Sequence, residues 1–250
     1  MAFDLSQRSG LPLQLGEGFA LEFGKDVSHA VMTPRRLLGM KHVLLDETVD
    51  QPDETYYMYR DVCLEADKDL FRGKGFRYDL TVVPGLMLGR EFNKTYGHFH
   101  PLASAKCSYP EVYEVLNGQA HYLLQDRDHA LVVEAVAGDK VLIPPNYGHV
   151  TINPGKETLV MSNLVERTFA SEYEAYKEKR GGIYYETLQG WVENKKYLHH
   201  PSLRFLKAQA FPELGLGSEP LYKAFVAAPE KLEWLRKPEA FQERLLAAVK

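Results

Sequence analysis

Between about residues 76 and 166 the chain is written in short apolar runs separated by turn-forming clusters. Asp79–Pro84, Met87–Phe92, Glu111–Leu116, Gln119–Leu124, Ala130–Ala135, Val141–Ile143, His149–Ile152 and Thr158–Leu164 each read as a strand. Asp126-Arg127-Asp128, Gly138-Asp139, Pro144-Pro145-Asn146 and Asn153-Pro154-Gly155 supply the breaks. Short strands at about 8–12-residue spacing with turn chemistry between them predict an all-β core, a sandwich or barrel. Asn117-Gly118 lies between two such runs, and an Asn-Gly pair there predicts a two-residue hairpin.

The flanks read differently. Residues 1 to about 75 mix turn residues with short apolar runs, and the chain after about residue 167 is more helical in pattern. Leu221–Ala228 predicts a helix with Ser218 as N-cap and Pro229 as its stop. A last helix is expected near Pro238, where Phe241, Leu245 and Val249 recur every fourth residue as one apolar stripe that packs on the parent domain or a sister subunit.

Composition narrows the function classes. A chain of 250 residues with 45% hydrophobic and 26% charged residues can bury a large core without disulfide staples. The net charge of −4 comes with no block of Lys and Arg, so no nucleic-acid or membrane partner is expected. Cys63 and Cys107 form neither a disulfide framework nor a C-x-x-C pair and fit a reducing cytoplasm. No secretory leader or apolar span is legible.

The candidate chemistry begins at His98-Phe99-His100. On an extended chain residues i and i+2 share a face, and two adjacent imidazoles call for a shared partner, most simply a metal ion. A surface strand with two solvated histidines also fits an isolated H-x-H. The context is richer than that: H-x-H is followed by E-x6-G at Glu111 and Gly118, then by G-x5-P-x4-H-x3-N from Gly138 through Pro144 and His149 to Asn153.

Together these resemble the two motifs of the cupin superfamily. The resemblance implies a cupin double-stranded β-helix barrel, here with additional N-terminal strands and C-terminal α-helices, holding one divalent metal ion through His98, His100, Glu111 and His149. It divides the chain into a cupin domain over 1–200, with its motif core at about 76–166, and a helical extension over 201–250 packed on the barrel. Fe2+ or Mn2+ heads the choices of metal, with Zn2+ and Ni2+ also compatible with the donor set. Hairpin register supports Glu111 over Glu114 as the carboxylate. With Asn117-Gly118 as a two-residue loop, Glu111, Tyr113 and Tyr122 face inward, and Glu114 pairs with His121 on the outside.

Gly89-Arg90-Glu91-Phe92-Asn93-Lys94-Thr95-Tyr96-Gly97-His98-Phe99-His100, with Tyr78–Gly85 before it and Pro110–Leu116 after it, is similar to the cupin-type phosphoglucose isomerases. That resemblance implies interconversion of glucose 6-phosphate and fructose 6-phosphate. It assigns phosphate contacts to Thr81, Thr95 and the Gly97 backbone, the catalytic base to Glu111, and a homodimer to the assembly. Tyr113 is either a core aromatic or a substrate contact. Lys94 either adds charge beside the phosphate or faces solvent. Departures occur at Asn146, Val165 and Ser171, where relatives carry Tyr, Tyr and His, and Tyr173 is a candidate substitute. The Leu102–Tyr109 segment is longer than usual. Two other readings remain open at this point: another metal cupin enzyme, such as a sugar epimerase or an iron dioxygenase, and a non-catalytic sugar-binding cupin.

Overall fold

The computed structural model describes residues 2–28 and 30–249. Two antiparallel sheets dominate. We number their strands β1 (Thr33–Arg36), β2 (Glu54–Tyr59), β3 (Phe76–Val83), β4 (Glu111–Asn117), β5 (Gln119–Gln125), β6 (Ala130–Val136), β7 (Lys140–Ile143), β8 (Gly148–Ile152), β9 (Leu159–Glu166) and β10 (Leu203–Lys207). One sheet has the order β7-β4-β9-β3-β2-β1 and the other β8-β5-β6-β10. They pack face to face, as the Tyr113 and Tyr122 rings show by meeting across the interior at 5.3 Å.

Seven of the eight sequence-read strands are present; the eighth, Met87–Phe92, is instead a small hairpin of Met87–Leu88 and Glu91–Phe92 turning at Gly89, with φ +65°, and one connection also differs. Asn117-Gly118 does not close a hairpin: β4 pairs with β7 and β9, whereas β5 pairs with β6 and β8. The chain turns a corner there and changes sheets. Gly118 takes φ +77°, as a tight turn demands of glycine, while Asn117 stays in the strand and anchors the corner through Nδ2 to the Thr158 carbonyl at 2.7 Å. The cross-strand pair of Glu114 with His121 therefore does not exist. Glu114 binds Lys140 at 3.0 Å, and His121 binds Glu186 at 2.9 Å. The inward placement of Glu111 and Tyr113 survives, because alternation along one strand does not depend on the neighbouring strand.

The six-stranded sheet separates two cores. Its inner face contributes Tyr113, Val115 and Met161 to the space between the sheets. Its outer face carries Phe76, Tyr78, Leu80, Val112, Leu116 and Leu164, which pack under both chain termini. A small N-terminal sheet of Phe3–Asp4, Leu13–Leu15 and Leu21–Phe23 covers part of that face. The C-terminal helices, α1 (Leu221–Ala227) and α2 (Gln242–Leu246), cover more of it. Ser218 does not cap α1. The first helical N–H, at Leu221, donates instead to Glu114 Oε2 at 2.9 Å, so a strand carboxylate caps a helix 107 residues away. Leu245 and Val249 are buried as the stripe predicts, Leu245 with Phe241 in the outer core and Val249 against the inner one. The chain beyond residue 200 is not wholly helical, since β10 joins the smaller sheet in parallel with β6.

Candidate metal centre

His98-Phe99-His100 is held extended from both sides. The His98 and His149 backbones exchange hydrogen bonds at 3.1 and 3.0 Å, while Phe99 does the same with Glu172 at 3.0 and 2.8 Å. Alternate residues are thereby tied to opposite neighbours, and the two imidazoles fall on one face. Gly97 enables the approach: it takes φ +84°, and a Cβ there would lie 2.6 Å from the Tyr176 ring and from Val150. β8 of the smaller sheet, bridged to His98, brings His149, and β4 of the six-stranded sheet brings Glu111.

These four side chains converge. One ligand atom from each of His98, His100, Glu111 and His149 lies within 4.8 Å of all the others. His98 Nε2 and His100 Nε2 are 3.1 Å apart, and Glu111 Oε2 is 3.4 Å from His100 Nε2 and 3.3 Å from His149 Nε2. Donors bound at about 2.0–2.2 Å around one ion stand about 3.0–3.5 Å from each other. His100 Nδ1 faces the Tyr109 carbonyl at 2.9 Å and must donate to it, which leaves Nε2 as a bare lone pair. Glu111 Oε1 accepts from Asn163 Nδ2 at 2.7 Å, whereas its buried Oε2 finds no hydrogen bond among the described residues.

Electrostatics disfavour protonation of His98 and His100. Burial, helped by His149 and its other neighbours, holds His98 well below the usual histidine range. Burial outweighs the nearby Glu111 charge at His100 and lowers it to about 4. Burial pushes Glu111 upward, but the closeness of His149, then of His100 and Tyr113, prevails and holds it below the usual carboxylate range. Three imidazoles and one carboxylate, with an unpartnered oxygen among them, are a donor set that fits a divalent cation.

Around this point lies a cavity lined by Thr81, Thr95, Gly97, Tyr113, Phe169 and Tyr173, among others. It has about 60 Å³ of free space and shares His100, Ser171 and Tyr173 with an adjoining surface pocket of about 880 Å³. Tyr113 OH stands 3.2 Å from His149 Nε2, and burial with the adjacent Glu111 charge raises its phenol well above the ordinary value. Lys94 is absent from the lining. It is neither solvent-facing nor beside the cavity, because its ammonium is buried on Glu91 at 2.5 Å and on the Val43 carbonyl at 2.8 Å.

Several neighbours escaped sequence reasoning. Phe169 packs on the His100 ring at 4.6 Å and stacks on Tyr109 at 4.8 Å. Asn163, Arg77 and Asp79 line the cavity from β9 and β3, and strand alternation from Thr81 and Met161 could have found them. Tyr173 packs against His98 at 5.5 Å. Asn146, at φ +69°, exchanges hydrogen bonds with Ser108 at 2.9 and 2.7 Å and so ties the long Leu102–Tyr109 segment to the approach to His149.

Two facing β-sheets with three histidines and a glutamate gathered between them define a cupin. Comparison with known proteins is narrower. A family model described as glucose-6-phosphate isomerase (GPI) matches residues 35–202, and the chain belongs to that family. Among relatives, glucose-6-phosphate isomerase of Thermococcus litoralis is 30% identical over 65% of this chain and 84% of its own. The Pyrococcus horikoshii enzyme of the same name is 32% identical over 58% of this chain and 75% of its own. Among solved structures, Bacillus subtilis oxalate decarboxylase matches with a TM-score of 0.36 and 22% identity, over 48% of this chain and 28% of that one.

Proposed function

We propose that this protein is a metal-dependent aldose–ketose isomerase that interconverts glucose 6-phosphate and fructose 6-phosphate. The observation that carries the reading is the buried cluster of His98, His100, Glu111 and His149 in a chain of the glucose-6-phosphate isomerase family. These four residues would hold one divalent ion, with Fe2+ or Mn2+ the first choices. When bound, such an ion polarises a carbonyl and stabilises negative charge on adjacent oxygens.

The remaining work belongs to the chain. Glu111 is ionised, and Asn163 fixes one of its oxygens. The other oxygen, once released from its place in the cluster, would take the proton from one of C1 and C2 and return it to the other, with a hydride shift between the same carbons as the competing route. Tyr113, protonated and packed on Tyr122, orients the sugar hydroxyls and excludes water. Thr81, Thr95 and the Gly97 backbone offer neutral donors to the phosphate. The enzyme acts as a homodimer in the cytoplasm, a setting compatible with its two free, buried cysteines.

The test is a coupled assay with fructose 6-phosphate on chelator-stripped protein, repeated after Mn(II) or Fe(II) is restored. Turnover that appears only with metal is expected. Metal-loaded protein without turnover, or with oxygen uptake instead, would replace the isomerase reading with that of a different metal cupin enzyme.

A further inference from the structure

Two arginines on the cavity wall have no part in the scheme above. Arg77 and Asp79 sit on β3, on the same inward face as Thr81, and Arg60 follows the end of β2. Asp79 is buried and carries both guanidinium groups. Arg60 Nη1 reaches Oδ2 at 2.9 Å, and Arg77 Nε reaches Oδ1 and Oδ2 at 3.0 and 2.9 Å. The Asp61 N–H completes the set at 2.9 Å. One carboxylate thus positions two cations and neutralises only one. Both terminal nitrogens of Arg77 are without a hydrogen bond among the described residues, and the Arg60 side chain is half exposed.

The register places this group beside the metal cluster. Asp79 pairs with Asn163, the residue that holds Glu111, and Arg77 pairs with Val165. Arg60 and Arg77 are the arginine or lysine side chains among the described residues lining the cavity, and Lys94 is already spent on Glu91. A phosphate dianion meeting only Thr81, Thr95 and Gly97 would surrender its hydration for neutral donors. A guanidinium fork supplies charge and paired N–H groups together.

We infer that Arg60 and Arg77, docked on Asp79, form an anion-recognition wall of the cavity and bind the doubly charged phosphate of the ligand, with the threonines as auxiliary donors. The inference rests on the reading above only for the identity of the sugar.

The test compares native Mn(II)-loaded protein with Arg60→Gln, Arg77→Gln and Arg77→Lys by titration calorimetry. The probes are inorganic phosphate, sorbitol 6-phosphate and sorbitol. Each Gln variant should weaken both phosphate probes by about 10–100-fold while retaining Mn(II), with Arg77→Lys in between. Arg60→Gln keeps the test independent of folding, because that side chain is half exposed. Sorbitol 6-phosphate bound equally by native and Gln proteins would overturn the wall and leave the sugar phosphate reading standing. Inorganic phosphate bound through both arginines, with sorbitol 6-phosphate ignored, would support the wall and remove that reading. Native protein that binds neither phosphate probe would overturn both.

Discussion

The two faces of the six-stranded sheet are built from the same strands and obey opposite rules. On β3, Phe76, Tyr78, Leu80 and Val82 point outward into an apolar core with Phe225 and Trp234, while Arg77, Asp79 and Thr81 point inward to the cavity. Each face also buries a glutamate from β4, and the two are treated differently. Glu114 on the outer face meets Lys140 at 3.0 Å and the Leu221 N–H at 2.9 Å, so its oxygens are answered within the chain. Glu111 on the inner face keeps one buried oxygen without a hydrogen bond, and His149 Nδ1 beside it also lacks one. A buried polar group left unanswered costs about 1–3 kcal/mol; the outer face tolerates this at the Tyr78 and Ser162 hydroxyls, whereas the unanswered Glu111 oxygen stands 3.4 and 3.3 Å from the His100 and His149 nitrogens, an arrangement that suits a cation.

The largest effect expected of a single change lies on the outer face. Trp234 is fully buried and donates Nε1 to the Leu214 carbonyl at 2.9 Å. Trp234→Ala should cost about 3–5 kcal/mol in urea unfolding and leave metal affinity intact in the folded fraction. On the inner face the pattern should reverse. A four-donor site holds an ion such as Zn2+ with about 10–16 kcal/mol, so His149→Ala should forfeit roughly a quarter of that, about 10²–10³-fold in affinity, as read by metal competition. Equal losses of stability and affinity in both variants would erase the distinction between the faces.

A smaller effect comes from pH. In metal-free protein the His100 value falls from 6.5 to about 4, so the unfolded chain binds more protons than the native one between those limits. Stability should therefore be full above about pH 6.5 and decline towards pH 4, by at most about 3 kcal/mol from this residue. His98 acts in the same direction. His100→Gln should flatten that slope in urea unfolding. The smallest change is Asn163→Ala, which frees Glu111 Oε1 and should weaken metal binding by about 10–100-fold with little loss of fold.

What the sequence revealed was local. The placement of Glu111 and Tyr113 inward and of Glu114 on the opposite face follows from the twofold alternation of β4 alone. The Asn117-Gly118 signal correctly marks a reversal with a left-handed glycine, but a turn signal does not say which strand becomes the partner, and here the chain passes to the other sheet. Lys94 misled for a related reason: Glu91 is only three residues away, but the Val43 carbonyl that buries the pair comes from a segment that meets it only in the folded chain. The arginine pair was legible in principle as alternation from Thr81, yet its meaning depends on the neighbouring strand that delivers Arg60.

The antiparallel bridge between His98 and His149 has a consequence for biosynthesis. Its two halves are 51 residues apart, so a nascent chain that has emerged only as far as β6 already carries His98, His100 and Glu111 but lacks the last imidazole. High-affinity capture of an ion must then wait until β8 has left the ribosome and zipped against the earlier segment. An ion taken up by this cluster would therefore enter late in maturation, and by mass action it would draw the folding equilibrium of the two sheets forward.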